Sequence, residues 1–127
     1  TSRSFIFSTA LSPADIGAAL AALQVLESDV SVLRRLHENV NYMADQLISI
    51  GIDATNETPI FPILIGSNED TLAVSEYLYE AGIIGTAIRP PTVPIGESRI
   101  RLTVTAAHNK EQIDYVCQSL HNAMKQL

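Results

Sequence analysis

Residues 87–108 read AIRPPTVPIGESRIRLTVTAAH, a proline-stiffened loop that runs into an alternating stretch bearing two arginines. Pro90, Pro91 and Pro94 fix their own φ angles, and the adjacent prolines push Arg89 and Pro90 toward extended backbone. Much of the loop's entropy is therefore removed before any ligand arrives, which suits a site that must hold Thr92 in one place. From Ser98 to Thr105 the chain alternates. Ile100, Leu102 and Val104 fall on one face, and Arg99, Arg101, Thr103 and Thr105 on the other. A planar guanidinium on such a face can grip a carboxylate or phosphate at two points. The pattern alone leaves two tasks open for Arg101 and Arg99, a structural ion pair or the capture of an anionic ligand. Arg89, before the prolines, is placed to orient the loop by bonding carbonyls.

Other chemistry is scarce. The sequence has no Ser–His–Asp spacing, no metal-ligand cluster and no GxxxxGK phosphate loop. His37 and His121 read as surface residues. His108 sits before a helix, where it caps or meets a ligand. Glu69 and Asp70 open a helix, where the helix dipole accounts for them.

The elements that must position the arginines are legible from periodicity. Ser12, Pro13 and Asp15 make a helix start, followed by Ile16, Leu20, Leu23 and Leu26 with an alanine-rich run between them. A longer helix carries Leu33, Leu36, Val40, Met43, Leu47 and Ile50 and stops at Gly51. That stripe is too short for a sustained coiled coil and reads as core packing. Residues 58–66 form a short apolar strand in which Pro62 demands an edge position or a bulge. Ser67 or Asn68 caps the next helix, which carries Leu72, Tyr77, Leu78 and Ala81 and closes at Gly82. Residues 83–88 and 98–105 are strands. The last helix starts near Asn109, with Gln112 set for a reciprocal cap, and buries Ile113, Val116, Cys117, Leu120 and Met124. The sum is an α+β layer: a small, mainly antiparallel sheet of about three strands with helices on one face.

The 127 residues suffice for one domain with its own core. At 46% hydrophobic and 17% charged, the composition is that of an ordinary globular chain. A net charge of −6 argues against nucleic acid as a partner, since binding phosphates needs a basic surface. No apolar run approaches the roughly 20 residues of a membrane span, and no signal-peptide pattern opens the sequence. The single Cys117 fits a reducing compartment, so a cytoplasmic setting is expected. The opening TSRSFIFSTAL, without an initiator Met, reads as a cut through a larger protein.

The run IRPPTVPIGESRIRLTVTAAH resembles the carboxy-terminal signature of the α-oxoamine synthases. FIFSTALSPA (5–14) resembles that family's approach to its small domain, and FPILIG (61–66) its PIxPxxxG region. The likeness covers nearly the whole chain in the right order. These are enzymes of pyridoxal-phosphate fold type I, in the aminotransferase class I/II group, that join an amino acid to an acyl thioester with loss of carbon dioxide. Within the family, IRPPTVP is nearest to the branch that uses L-alanine and a pimeloyl thioester (carried on CoA or an acyl carrier protein) on the way to biotin. The alternative is the glycine and acetyl-CoA branch, of the 2-amino-3-ketobutyrate CoA ligase type.

The resemblance implies that residues 1–127 are a C-terminal small domain, with 1–12 leading in from a large domain. It implies that Arg101 pairs with the amino-acid carboxylate and that Thr92 contacts substrate. It further implies that Ser8 and Thr9 reach the pyridoxal phosphate of the other subunit in a homodimer. The family's cofactor-bearing lysine has no counterpart here, because only Lys110 and Lys125 occur and neither lies in that context. The fragment alone is therefore expected to be inactive. Two other readings stand beside this one. One is a free-standing module that binds a small carboxylate through Arg101 and Thr92. The other is an oligomerisation domain built on the 33–50 stripe.

Overall fold

Helix α1 (Pro13–Ser28) begins where the Ser12 hydroxyl accepts a hydrogen bond from the Ala14 N–H at 3.2 Å, with Pro13 inside the first turn. The computed structural model describes residues 11–54 and 58–127, which fall into two compact units divided after Leu33. Ser8 and Thr9 lie outside the described residues. In the first unit the residues of α1 are exposed apart from the half-buried Leu26, including Ile16, Leu20 and Leu23 of the expected stripe.

The second unit, from Arg34 on, takes in most of α2 (Ser31–Ser49) and contains β1 (Ile60–Gly66), α3 (Asn68–Glu80), β2 (Thr86–Ile88), β3 (Ser98–Thr103) and α4 (Lys110–Met124). Its sheet has the order β1-β3-β2 and is antiparallel throughout, so the arginine strand is central. Buried Phe61 and Ile63 of β1 and Ile100 and Leu102 of β3 share one core with Val40, Met43 and Leu47 of α2, Val74 and Leu78 of α3, and Ile113, Cys117 and Leu120 of α4. The opposite face of the sheet carries Ile60, Pro62 and Leu64 beside Arg101 and Thr103, all exposed. The α+β layer read from the sequence is the fold observed.

Local signals translate closely. Asn109 and Gln112 form the reciprocal cap at 2.8 and 3.0 Å. Ser67, not Asn68, caps α3 by accepting from the Asp70 N–H at 3.0 Å. Of the edge position or bulge that Pro62 demands, the edge position is observed; Pro62 pairs in register with Arg101, and the β1–β3 register shifts only beyond it, between Leu64 and Gly66. The Leu33–Ile50 stripe buries Val40, Met43 and Leu47, leaves Leu36 and Ile50 half-buried and exposes Leu33.

Two elements differ in detail from their sequence patterns. Leu72 is 45% exposed, and α3 turns Thr71, Val74 and Leu78 inward, with Tyr77 and Ala81 half-buried against the core. The expected strand over 83–88 shrinks to Thr86–Ile88. Its first half bonds to α3 rather than β3: the Ile83 N–H donates to the Leu78 carbonyl at 2.8 Å, and the Ser75 hydroxyl to the Gly85 carbonyl at 2.7 Å. Glycine at 85 suits that approach, because a Cβ there would lie 2.9 Å from Leu78 Cδ1 and 3.1 Å from Ile100 Cγ2 and would force those side chains to shift.

Cys117 packs its sulfur 3.6 Å from that of Met43, and burial, aided by the Asp114 charge, pushes its thiol from 9.0 up to about 11. The neutral thiol is thus favoured in the folded chain. Its contribution is complete below about pH 9 and is lost as the pH rises from there through about 11. Urea midpoints measured across that window should fall, and a Cys117→Val variant should fall less steeply; equal slopes would contradict this account.

Candidate functional site

Arg101 occupies the middle of the central strand, between Pro62 of β1 and Thr86 of β2, on the face opposite the core shared with the helices of its unit. Alternation puts it there. Ile100 and Leu102 must enter the core, so their neighbours must point away. Pro62 opposite it is exposed, as is Thr86, so nothing beside it in the sheet closes over the guanidinium.

Arg99 shares the face but not the situation. Its NH2 group lies 3.0 Å from a Glu97 carboxylate oxygen, and its Nε donates to the Glu97 carbonyl at 3.0 Å. Arg99 is therefore neutralised by its own strand entry. Among the described residues no hydrogen bond or ion pair engages the Arg101 side chain. Three of the chain's eight cationic residues, Arg89, Arg99 and Arg101, lie within this hairpin of an otherwise acidic chain. Arg101 is in the sheet and has no counterion among the described residues. An exposed guanidinium in that state has its planar fork open to an anion.

The loop from Arg89 to Glu97 connects β2 to β3 and is folded by two internal bonds. The Thr92 N–H donates to the Arg89 carbonyl at 3.0 Å, and the Glu97 N–H to the Pro94 carbonyl at 3.1 Å. Thr92 is exposed at the hairpin end and forms no side-chain hydrogen bond to Arg101. The expected role of the Arg89 guanidinium is not what is seen. Its carbonyl, not its side chain, organises the loop, and the side chain is exposed.

At the far end of β3, the His108 Nδ1 accepts the Thr105 N–H at 3.0 Å, so that imidazole closes a turn. The Asn39 side-chain amide donates to the carbonyls of Thr105 and His108 at 2.9 and 2.8 Å, tying the turn to α2. Sequence reasoning missed Asn39, because its partners lie more than sixty residues away. It also missed Ser98, which is 1% exposed and donates to Asn68 Oδ1 at 2.8 Å. A cavity of about 420 Å³ opens elsewhere, among Met43, Ile83, Leu102, His108, Ile113 and Val116. Its largely apolar lining sets it apart from the arginine face. Among the described residues no three His, Cys, Asp or Glu side chains are grouped to hold a metal ion, and no single helix is long and apolar enough to cross a membrane.

Comparison with known proteins gives the family. The family model for aminotransferase class I and II matches residues 1–120. The chain belongs to that family. It is 45% identical over 124 residues to a putative 8-amino-7-oxononanoate synthase of Desulforudis audaxviator, and 40% identical over 126 residues to the 8-amino-7-oxononanoate synthase of Thermoanaerobacter pseudethanolicus. Each alignment covers 98% of this chain and 32% of the relative. The chain thus spans about a third of the length of these curated relatives.

Among solved structures it superimposes on 8-amino-7-oxononanoate synthase from Francisella tularensis with a TM-score of 0.80 at 23% identity, over 98% of this chain and 36% of that one. It also superimposes on serine palmitoyltransferase from S. paucimobilis, bound to a pyridoxal-phosphate–myriocin aldimine. That match has a TM-score of 0.83 at 23% identity and covers 94% of this chain and 31% of that one. The fold is therefore that of these pyridoxal-phosphate enzymes, and the two curated relatives just described both carry the 8-amino-7-oxononanoate synthase name.

Proposed function

We propose that these residues form the C-terminal small domain of a pyridoxal-phosphate-dependent α-oxoamine synthase of the 8-amino-7-oxononanoate synthase type. The reaction condenses L-alanine with a pimeloyl thioester and releases carbon dioxide. The observation that carries the reading is the contrast within one strand: Arg99 is neutralised by Glu97, whereas Arg101 is exposed and without an ion pair among the described residues.

An unsatisfied guanidinium beside a rigid loop fits the carboxylate of an amino acid, and with it the cofactor chemistry that acts on the neighbouring carbon. Ser8 and Thr9 would donate to the cofactor phosphate in the partner subunit of a homodimer. The lysine that carries the cofactor would come from outside these 127 residues, so the fragment alone would be inactive. When bound, pyridoxal phosphate supplies an electron sink for the amino-acid α-carbon.

The small domain contributes orientation. By fixing the carboxylate, Arg101 sets which bond at the α-carbon stands aligned for cleavage. Thr92, on the proline loop, would flank the same substrate. Neither residue transfers a proton. The test is a product assay with the full-length enzyme, offering alanine with pimeloyl-CoA, glycine with acetyl-CoA and serine with palmitoyl-CoA. Preferential condensation of the first pair supports the reading, and preference for either other pair reassigns the substrates. No product from any pair would refute the synthase activity.

A further inference from the structure

We infer that Ser98 and Asn68 form a positioning pair that locks the register of β3 and so keeps Arg101 on the substrate face; the inference rests on the carboxylate-anchor reading of Arg101. Ser98 is one of only three buried polar side chains among the described residues. Its hydroxyl donates to Asn68 Oδ1 at 2.8 Å, joining the first residue of β3 to the first residue of α3.

The helix end that receives it is itself held. The Ser67 hydroxyl accepts from the Asp70 N–H at 3.0 Å, and the Ser67 carbonyl accepts from the Thr71 hydroxyl at 2.6 Å. On the other side of the strand entry, Arg99 grips Glu97. The entry of β3 is therefore fastened at two adjacent residues, Ser98 toward the helices and Arg99 toward the open face.

The fastening stands where register is least secure. Pairing between β1 and β3 is regular from Ile60↔Thr103 to Leu64↔Arg99 and then skips Ile65, so that Gly66 faces Ser98. Pro62, opposite Arg101, has no N–H to give the ladder. On the other side β2 contributes only three residues. A slip of one residue would turn Arg101 into the core and Ile100 outward. The Ser98–Asn68 bond opposes that slip three residues from the guanidinium it protects. A hydroxyl kept only to satisfy its own burial would have no effect on alanine affinity.

The test uses the full-length enzyme with Ser98→Ala, Asn68→Ala, the double variant and Arg101→Ala. Two readouts are taken: L-alanine affinity from the cofactor's visible absorbance, and hydrogen exchange of the amides over 98–103 in the enzyme without substrate. We expect Ser98→Ala to raise the apparent Kd for alanine about fivefold to tenfold and to speed exchange over 98–103, with kcat at saturating alanine within about twofold of wild type. Asn68→Ala, on the exposed partner, should do the same, and the double variant should add nothing further.

The inference is overturned if Ser98→Ala leaves affinity and exchange unchanged, if the two single effects add, or if kcat and cofactor affinity fall together with alanine affinity. Failure of the underlying reading looks different: Arg101→Ala would then leave alanine binding intact, and the exchange data would still decide whether the pair pins the strand.

Discussion

Replacing Arg101 by alanine in the full-length enzyme is expected to weaken L-alanine binding roughly 30- to 150-fold, the equivalent of about 2–3 kcal/mol for charge-assisted hydrogen bonds to a carboxylate. Cofactor affinity should stay within about twofold, because the residue's proposed partner is the amino acid and not the cofactor. Arg101→Lys keeps the charge and loses the two-point fork, so its affinity should fall between the two. Arg99→Ala provides the internal comparison. Its guanidinium is already engaged by Glu97, and an exposed pair of that kind contributes about 0–1 kcal/mol, so its removal should change alanine affinity less than fivefold. An equal loss from both arginines would mean that the face acts as a diffuse positive patch and not as a single receptor.

Truncation of Phe61 is the second large effect. Phe61 is 1% exposed, faces Leu102 across the β1–β3 ladder and belongs to the core shared with α2, α3 and α4. Phe61→Ala removes a large buried ring and leaves a cavity that a three-stranded sheet cannot readily close. The expected loss is about 3–5 kcal/mol of unfolding free energy. Tyr79, 75% exposed on α3, serves as the control, and Tyr79→Ala should stay within about 0.5 kcal/mol. Urea denaturation followed by circular dichroism reads both. A Phe61 variant as stable as the Tyr79 variant would place the core elsewhere than on this face of the sheet.

The parts of this fold legible in the sequence are those whose physics is local. The Asn109–Gln112 cap spans four residues, and the alternation of Ile100, Leu102 and Val104 spans five, so each carries its signal within a short run of chain. Pro62 announced its edge position because a missing N–H is a property of the residue itself. The inward face of α3 is not legible in the sequence, because Leu72 and Val74 are both apolar and only the packing of Val74 and Leu78 shows which side is buried. Thr71 enters the core because its hydroxyl bonds back to the Ser67 carbonyl, a partner that hydropathy does not reveal.

The candidate site divides in the same way. Arg101's face followed from a period of two. The neutralisation of Arg99 had a signal, Glu97 two residues before it, that the reading did not use. The Ser98–Asn68 and Asn39–His108 bonds join residues 30 and 69 apart, and no local pattern reports them.

One measurement isolates the central claim that Arg101 binds the amino-acid carboxylate. Wild-type and Arg101→Ala full-length enzymes are titrated with L-alanine and with L-alaninamide, which lacks the carboxylate charge. Wild type should prefer alanine by roughly 30-fold or more, and Arg101→Ala should reduce that preference to near unity, since the guanidinium can distinguish the ligands only through the group that differs. An undiminished preference for alanine in the Arg101→Ala enzyme would contradict the assignment and place the carboxylate elsewhere.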